Sequence, residues 1–291
     1  MNDMIYTYDL QIADLLIRVN SPIELKEQYE LTPFVVSCAP ESYPDAVYTI
    51  SILPPDWQAK GTQVAQAPHS AIYEWQDEIH RYFHWNVFSN DRFILLKSTK
   101  SNPSEHTIYL QENTLQRMMP QFRLSAFLAP EQLLLKHQGF LLHASVIDWQ
   151  GKGILFTGPS GIGKSTQAQL WSELENATII NGDRTIIRSN SVITAWGSPY
   201  AGTSKLYINQ SVPICAIVVL SQGKENVLRR LTRISAFQQI LQEATTQPWD
   251  QKFMNDLTDL ILAITNRIPV YHLTCTPTVE AVEMLKKELY I

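Results

Sequence analysis

Gly158-Pro159-Ser160-Gly161-Ile162-Gly163-Lys164-Ser165 satisfies the pattern G-x-x-x-x-G-K-[ST] at every constrained position, and Thr166 adds a second hydroxyl directly after it. Glycines at these places let the backbone curl into a nest whose N–H groups converge on an anion. Lys164 supplies a compact positive charge for the β- and γ-phosphates of a nucleotide, and Ser165 an oxygen ligand for Mg²⁺. On this reading the whole run from Gly158 to Thr166 borders the nucleotide. Upstream, Lys152-Gly153-Ile154-Leu155-Phe156-Thr157 reads as a buried strand; downstream, Thr166-Gln167-Ala168-Gln169-Leu170-Trp171 reads as a helix. That order matters, because the helix N-terminus adds its partial positive charge to the nest. The bland alternative is a glycine turn that binds nothing, and both flanks weigh against it.

A loop of this kind needs a carboxylate on a second element to hold the metal. Asp183 follows the apolar run Ala177-Thr178-Ile179-Ile180 and the Asn181-Gly182 step, at the C-terminal edge of a predicted strand. There it binds Mg²⁺ directly or through water, unless it is merely a turn residue of Asn-Gly-Asp. The apolar run 214–220 offers no rival, because it ends in Ser221-Gln222 rather than an acid.

The chain reads as two domains, 1–138 and 139–291, with the boundary close to Gly139. The first is strand-rich and of α+β type. Residues 5–10 and 15–19 are expected to pair across a short turn, and Ser21-Pro22-Ile23-Glu24 is a capping box opening a short helix. Further strands are predicted at 34–38, 47–53, 72–75, 82–88, 93–97 and 108–111, with Ser89-Asn90-Asp91 as a hairpin connection. From 114 to 137 leucine and methionine recur at helical spacing, broken by Pro120 and Pro130. The second domain alternates strands (140–147, 178–180, 214–220, 270–274) with helices (235–244, 256–265 and one after Thr276-Pro277), the pattern of an α/β core. Trp57, Trp75, Tyr82 and Trp85 are candidates for a peptide-binding surface, against the commoner role of strand aromatics as core.

The 291 residues are 45% hydrophobic and 18% charged with a net charge of −5, an ordinary globular composition. No Lys/Arg tract stands out, which argues against nucleic acid as a partner; Arg229, Arg230 and Arg233 read as a solvated helix edge. The start lacks a basic region followed by an apolar core, and the run 214–220 is too short to span a bilayer. Cys38, Cys215 and Cys275 match no metal pattern and read as buried reduced thiols. A cytoplasmic protein with no membrane partner is the expectation.

Taken together, His143-Ala144-Ser145-Val146, the run Gly153 to Ser165, and Asn181-Gly182-Asp183-Arg184 resemble the catalytic domain of the HPr kinase/phosphorylase family. The loop and acidic motif are also similar to those of ATP-dependent phosphoenolpyruvate carboxykinase, which shares that P-loop fold. The match is strong over about 140–190 and weaker through Gly197-Ser198-Pro199-Tyr200-Ala201-Gly202-Thr203-Ser204-Lys205 to about 220; residues 1–135 do not resemble the family's N-terminal domain. The resemblance implies transfer of the γ-phosphate of ATP, with Mg²⁺, to a hydroxyl, a serine of a protein or peptide acceptor (a peptide natural-product precursor included). It also implies a homo-oligomer, although no segment marks an interface. His143 would steer an Asp-Asp pair, the first acid acting as general base and the second holding the metal. Here the aligned pair is Gly182-Asp183, so the base is missing; transfer can proceed without it at a lower rate, and His143 or Asp183 could take its role. Lys164, Asp183 and His143 are therefore the catalytic candidates. Arg184 and Lys205 are candidates for contact with phosphate or an acidic substrate group, against a solvated role for each. A small-molecule kinase, a carboxykinase-type enzyme and a nucleotide-binding regulator with little catalysis are the other readings.

Overall fold

The computed structural model describes residues 5–22, 24–25, 30–38, 42–54, 56–58, 60–67, 70–86, 89–111, 124–200, 202 and 204–289. The chain divides into two compact units, Met1–Leu133 and Leu134–Ile291.

Among the described residues, nine strands make the first unit: β1 (Tyr6–Ile12), β2 (Leu15–Ser21), β3 (Val35–Val36), β4 (Ala46–Ile52), β5 (Thr62–Ala67), β6 (Ser70–Trp75), β7 (Glu78–Asn86), β8 (Ser89–Thr99) and β9 (Glu105–Leu110). They form one sheet in the order β3-β1-β2-β4-β9-β8-β7-β6-β5. The β1–β2 hairpin turns on Ala13 and Asp14, both at positive φ (51° and 65°), the geometry that matches the twist of paired strands. Along β2, Leu15, Ile17, Val19 and Ser21 are buried and the residues between them are not, so period-2 patterning sets its register. Arg18 faces Asp9 across the ladder and pairs with it at 2.8 Å. Tyr82 is buried with Leu53 and Leu95 beneath Trp57, Tyr73 and Tyr109, so these aromatics serve as core.

Several expectations for this unit need correction. Ser89-Asn90-Asp91 is not a connection, since Asn86 already pairs with Ser89 and all three belong to β8; cross-strand pairing overrides the turn preference of Asn and Asp. The predicted strand at 34–38 is a 3₁₀ turn at Thr32–Phe34 followed by only two strand residues. The helix predicted after Ser21 falls largely, and that of 114–123 wholly, outside the described residues. Beyond them come a 3₁₀ turn at Leu124–Phe127 and helix α1 (Glu131–Lys136).

The second unit contains β10 (Gly139–Trp149), β11 (Lys152–Thr157), α2 (Lys164–Glu175), β12 (Thr178–Asn181), β13 (Arg184–Ser189), β14 (Ile193–Trp196), β15 (Ser211–Gln222), β16 (Val227–Arg230), α3 (Arg233–Glu243), α4 (Gln251–Arg267), β17 (Val270–Cys275) and α5 (Val279–Leu289). Its eight-stranded sheet runs β11-β10-β13-β14-β15-β17-β16, with β12 also on β10 and β11 also on β15. The β11–β15 and β15–β17 ladders are parallel and the rest antiparallel. Both faces of the sheet are covered. Leu155, Ile217 and Val219 point to one side, under Ile240 of α3 and Leu257, Ile261 and Ile264 of α4. Ile154, Phe156, Val218 and Leu220 point to the other, under Trp171 of α2 and Val282 and Leu285 of α5. Trp171 meets Trp149 edge-on at 5.2 Å, both fully buried; truncating either to alanine would cost about 3–5 kcal/mol. Asp250 caps α4 by accepting the Phe253 N–H at 2.9 Å.

Arg229 and Arg230 lie on strand β16 rather than on a helix, because the β17 ladder captures that segment; Arg233 opens α3. All three cysteines are free thiols, half-buried rather than buried. No helix among the described residues is long and apolar enough to cross a membrane.

Candidate functional site

Strand β10 is covered on both faces, and only His143 and Asp148 along its length are half-exposed. Its ladders put His143 opposite Arg184 of β13 and Ala144 opposite Thr157 of β11. The Thr157 hydroxyl donates to the His143 carbonyl at 2.9 Å, tying the histidine's backbone to the last residue before the glycine-rich loop.

The loop joins β11 to α2 as the sequence requires. Gly158, Gly161 and Gly163 have φ of 138°, 78° and 113°, a region that favours glycine. Around Gly161 and Gly163 nothing lies within 4 Å of where a Cβ would stand, so the backbone there is open to close approach. Pro159, Ser160 and Ile162 fill the span between them. Lys164, Ser165 and Thr166 form the first turn of α2. The Lys164 ammonium is buried and donates to the carbonyls of Gly158 (2.8 Å) and Pro159 (3.1 Å). Burial pushes its pKa below the usual lysine value; the carboxylates of Glu243 and Asp183 act in the opposite sense, and Arg184 lowers it further.

Asn181 shapes the acidic turn. Its side-chain oxygen accepts the N–H groups of both Asp183 and Arg184 at 2.9 Å, while its amide donates to the Ser198 carbonyl at 3.0 Å. Between them Gly182 is gripped on several sides. Its N–H donates to the Leu206 carbonyl, and its own carbonyl accepts from Ser145 (3.1 Å) and Ser165 (3.2 Å). Ser165 is thus bonded to the residue preceding Asp183, which brings the two proposed metal ligands to one corner.

His143 stands between two carboxylates. Its Nε2 lies 3.3 Å from Asp183 Oδ1 and its Nδ1 lies 3.1 Å from Glu243 Oε2. Glu243, the last residue of α3, reaches this place because Ala244 bridges Leu142 and the Thr245 N–H donates to the Leu141 carbonyl at 2.9 Å. The residue after the helix is therefore stitched to the residue before the histidine. Arg184 donates to the Thr245 hydroxyl at 3.2 Å. Lys205 is set apart: it occupies an exposed turn at φ 52°, and no hydrogen bond or ion pair between described residues joins its side chain to the others. Beside the loop lies a cavity of about 360 Å³, bordered by Gly161, Gly163, Thr166, Gln222, Cys275 and Pro277 among others.

Glu243 and Asn181 escaped the sequence reading. Glu243 is 100 residues from His143, on a helix whose pattern carries no motif. Asn181 was in view as part of the Asn-Gly-Asp step, and its dual acceptor role was the signal available there.

The second unit is thus a mixed α/β body carrying a glycine-rich strand–loop–helix beside an Asp–His–Glu constellation. The chain belongs to the family described as "SynChlorMet cassette protein ScmC", whose family model matches residues 110–287. No curated protein matches it. Among solved structures, the Hpr(Ser) kinase/phosphatase from Coxiella burnetii is similar at 13% identity and a TM-score of 0.30, over 52% of this chain and 93% of that one.

Proposed function

We propose that the protein is an ATP-dependent kinase that passes the γ-phosphate to a hydroxyl, a serine of a protein or peptide. The observation that carries this reading is the convergence of the positive-φ glycine loop, Lys164, Ser165 and Asp183 at one corner of the second unit. The residues fit the groups they would hold. Open backbone at Gly161 and Gly163 accommodates phosphate oxygens, and Lys164 already points its ammonium at oxygen acceptors of the loop. A Mg²⁺ that arrives on nucleotide phosphates needs only one or two protein oxygens, which Ser165 and Asp183 supply; bound there, it would neutralise phosphate charge. The cavity bordered by Gln222 and Pro277 adjoins the loop and would take the nucleoside end. Lys164 then offsets charge that builds on the transferring phosphoryl group, which is where most catalysis of such transfers resides.

The test uses γ-labelled ATP with Mg²⁺, the full chain, and serine-containing polypeptides beside free hydroxylated metabolites. Label on a polypeptide that disappears in Lys164→Ala is the expected result. Transfer to a metabolite alone would replace this version with a small-molecule kinase. No ATP binding would end the reading altogether.

A further inference from the structure

Gln167, two residues past the loop, carries a buried amide that is only half satisfied. We propose, resting on the kinase reading, that this amide reads the 6-amino group of adenine from the wall of the cavity beside the loop, so that the site prefers ATP to GTP. Gln167 lies near the start of α2, where its N–H donates to the Gly163 carbonyl at 2.9 Å, and it is 2% exposed. Its side-chain Nε2 donates to the Cys275 Sγ at 3.4 Å. Its Oε1 is buried and has no hydrogen-bond partner among the described residues. A buried amide oxygen without a donor costs free energy, and native proteins rarely leave one so unless a ligand or water completes it.

The surroundings of Gln167 narrow the donor. It borders the cavity of about 360 Å³ together with Ile162, Thr166, Cys275 and Pro277. Gly161 and Gly163 border the same cavity, so a nucleotide with its phosphates in the nest would carry its base into this space. Ile162 and Pro277 offer apolar contact to the flat faces of a purine, and Gln167 meets its edge. At that edge adenine presents an N–H donor where guanine presents a carbonyl oxygen. An acceptor complements the first and opposes the second, and a buried polar group left unpaired by the wrong ligand discriminates strongly. Cys275 fixes which amide atom stays free. Sulfur accepting the Nε2 hydrogen leaves Oε1 over, whereas an amide turned by half a rotation would rest on the weak S–H donor. Burial pushes the Cys275 thiol pKa up, so no thiolate charge stands beside the nucleotide. The β15–β17 ladder holds Cys275 opposite Gln222, which borders the cavity as well.

The experiment is calorimetric titration of the full chain with the Mg²⁺ complexes of ATP, GTP and purine riboside triphosphate, which carries only hydrogen where adenine has its amino group. Wild type should bind ATP about tenfold more tightly than purine riboside triphosphate, and GTP more weakly than either. Gln167→Met, similar in length and without the acceptor, should bring the ATP Kd to within about threefold of that for purine riboside triphosphate, whose own Kd should move by less than about threefold. The wild-type comparison needs no variant, so it stands even if Gln167→Met fails to fold. Equal wild-type affinity for ATP and purine riboside triphosphate, GTP bound as tightly as ATP, or a methionine variant that weakens ATP and purine riboside triphosphate alike would overturn the proposal. Wild type that tells the bases apart as expected and yet transfers no γ-phosphate would keep the adenine site and defeat the kinase reading. Wild type that binds none of the three triphosphates would defeat both.

Discussion

A side-chain carbon built on Gly182 falls 2.8 Å from the Ser204 Cβ, and nearer still to the Ser204 hydroxyl. The place where an acid would project is thus already filled by the segment that follows β14. The glycine is not an acid position emptied and left open; a neighbour has closed over it. Gly182→Asp should therefore destabilise the protein by about 1–3 kcal/mol, as overpacking does, without creating a working base. Adding Ser204→Gly should return part of that loss. Urea midpoints of the single and double variants decide the matter, and equal midpoints would show that the Ser204 contact is not the cause.

Asn181 is fully buried and bonds to three backbone groups with one side chain. Asn181→Ala leaves the N–H groups of Asp183 and Arg184 without that acceptor, and the cost should be about 1–3 kcal/mol. Because the same bonds aim the Asp183 carboxylate, phosphate release should drop more than ATP affinity. Calorimetric titration with ATP in the presence and absence of Mg²⁺ separates the two, and Asn181→Ala should lose mainly the Mg²⁺-dependent part.

Local chemistry was readable in the chain, and long-range geometry was not. The loop from Gly158 to Ser165, the strand before it and the helix after it follow from glycine spacing and apolar runs within twenty residues. The β1–β2 hairpin was legible for the same reason. By contrast, the partner of His143 on α3 depends on how helix α3 ends against β10, a contact that no residue near either position announces. Strands β13, β14 and β16 were missed because their sequences, four to six residues long, become strands only by joining the ladders of neighbours. Ser89 to Asp91 misled in the opposite direction, turn-like residues absorbed into a long strand.

Lys164 should serve binding at some expense to the fold. A lysine whose pKa is lowered on folding holds its proton less well in the native state, so the charge of its ammonium opposes folding. The two loop-carbonyl bonds act against that burden. Lys164→Met, unbranched and similar in length, should abolish ATP binding while the Tm stays level or rises by about 2–4 °C. A fall of several degrees would show that the ammonium's bonds to Gly158 and Pro159 hold the loop together.

The first unit carries its own acid sensitivity at His106. The ring is buried, stacked on Tyr48 at 4.3 Å, and bonded to the Ser98 hydroxyl at 2.8 Å and the Pro103 carbonyl at 3.1 Å. Burial pushes its pKa down from 6.5 to about 4, against a smaller opposing effect of the Pro103 carbonyl. Above pH 6.5 the folded and unfolded chains are both neutral here, and the contribution to stability is complete. As pH falls from there toward 4, the unfolded chain takes up a proton that the folded chain refuses, and stability drains away. A shift of this size corresponds to about 3 kcal/mol once pH is below both values. His106→Gln removes the titration, so its stability should fall less than that of wild type between pH 7 and about pH 4.5, by about 2–3 kcal/mol. Urea unfolding of the full chain at the two pH values, followed by amide exchange within β8 and β9, measures that difference. Parallel losses in wild type and variant would place the acid sensitivity elsewhere.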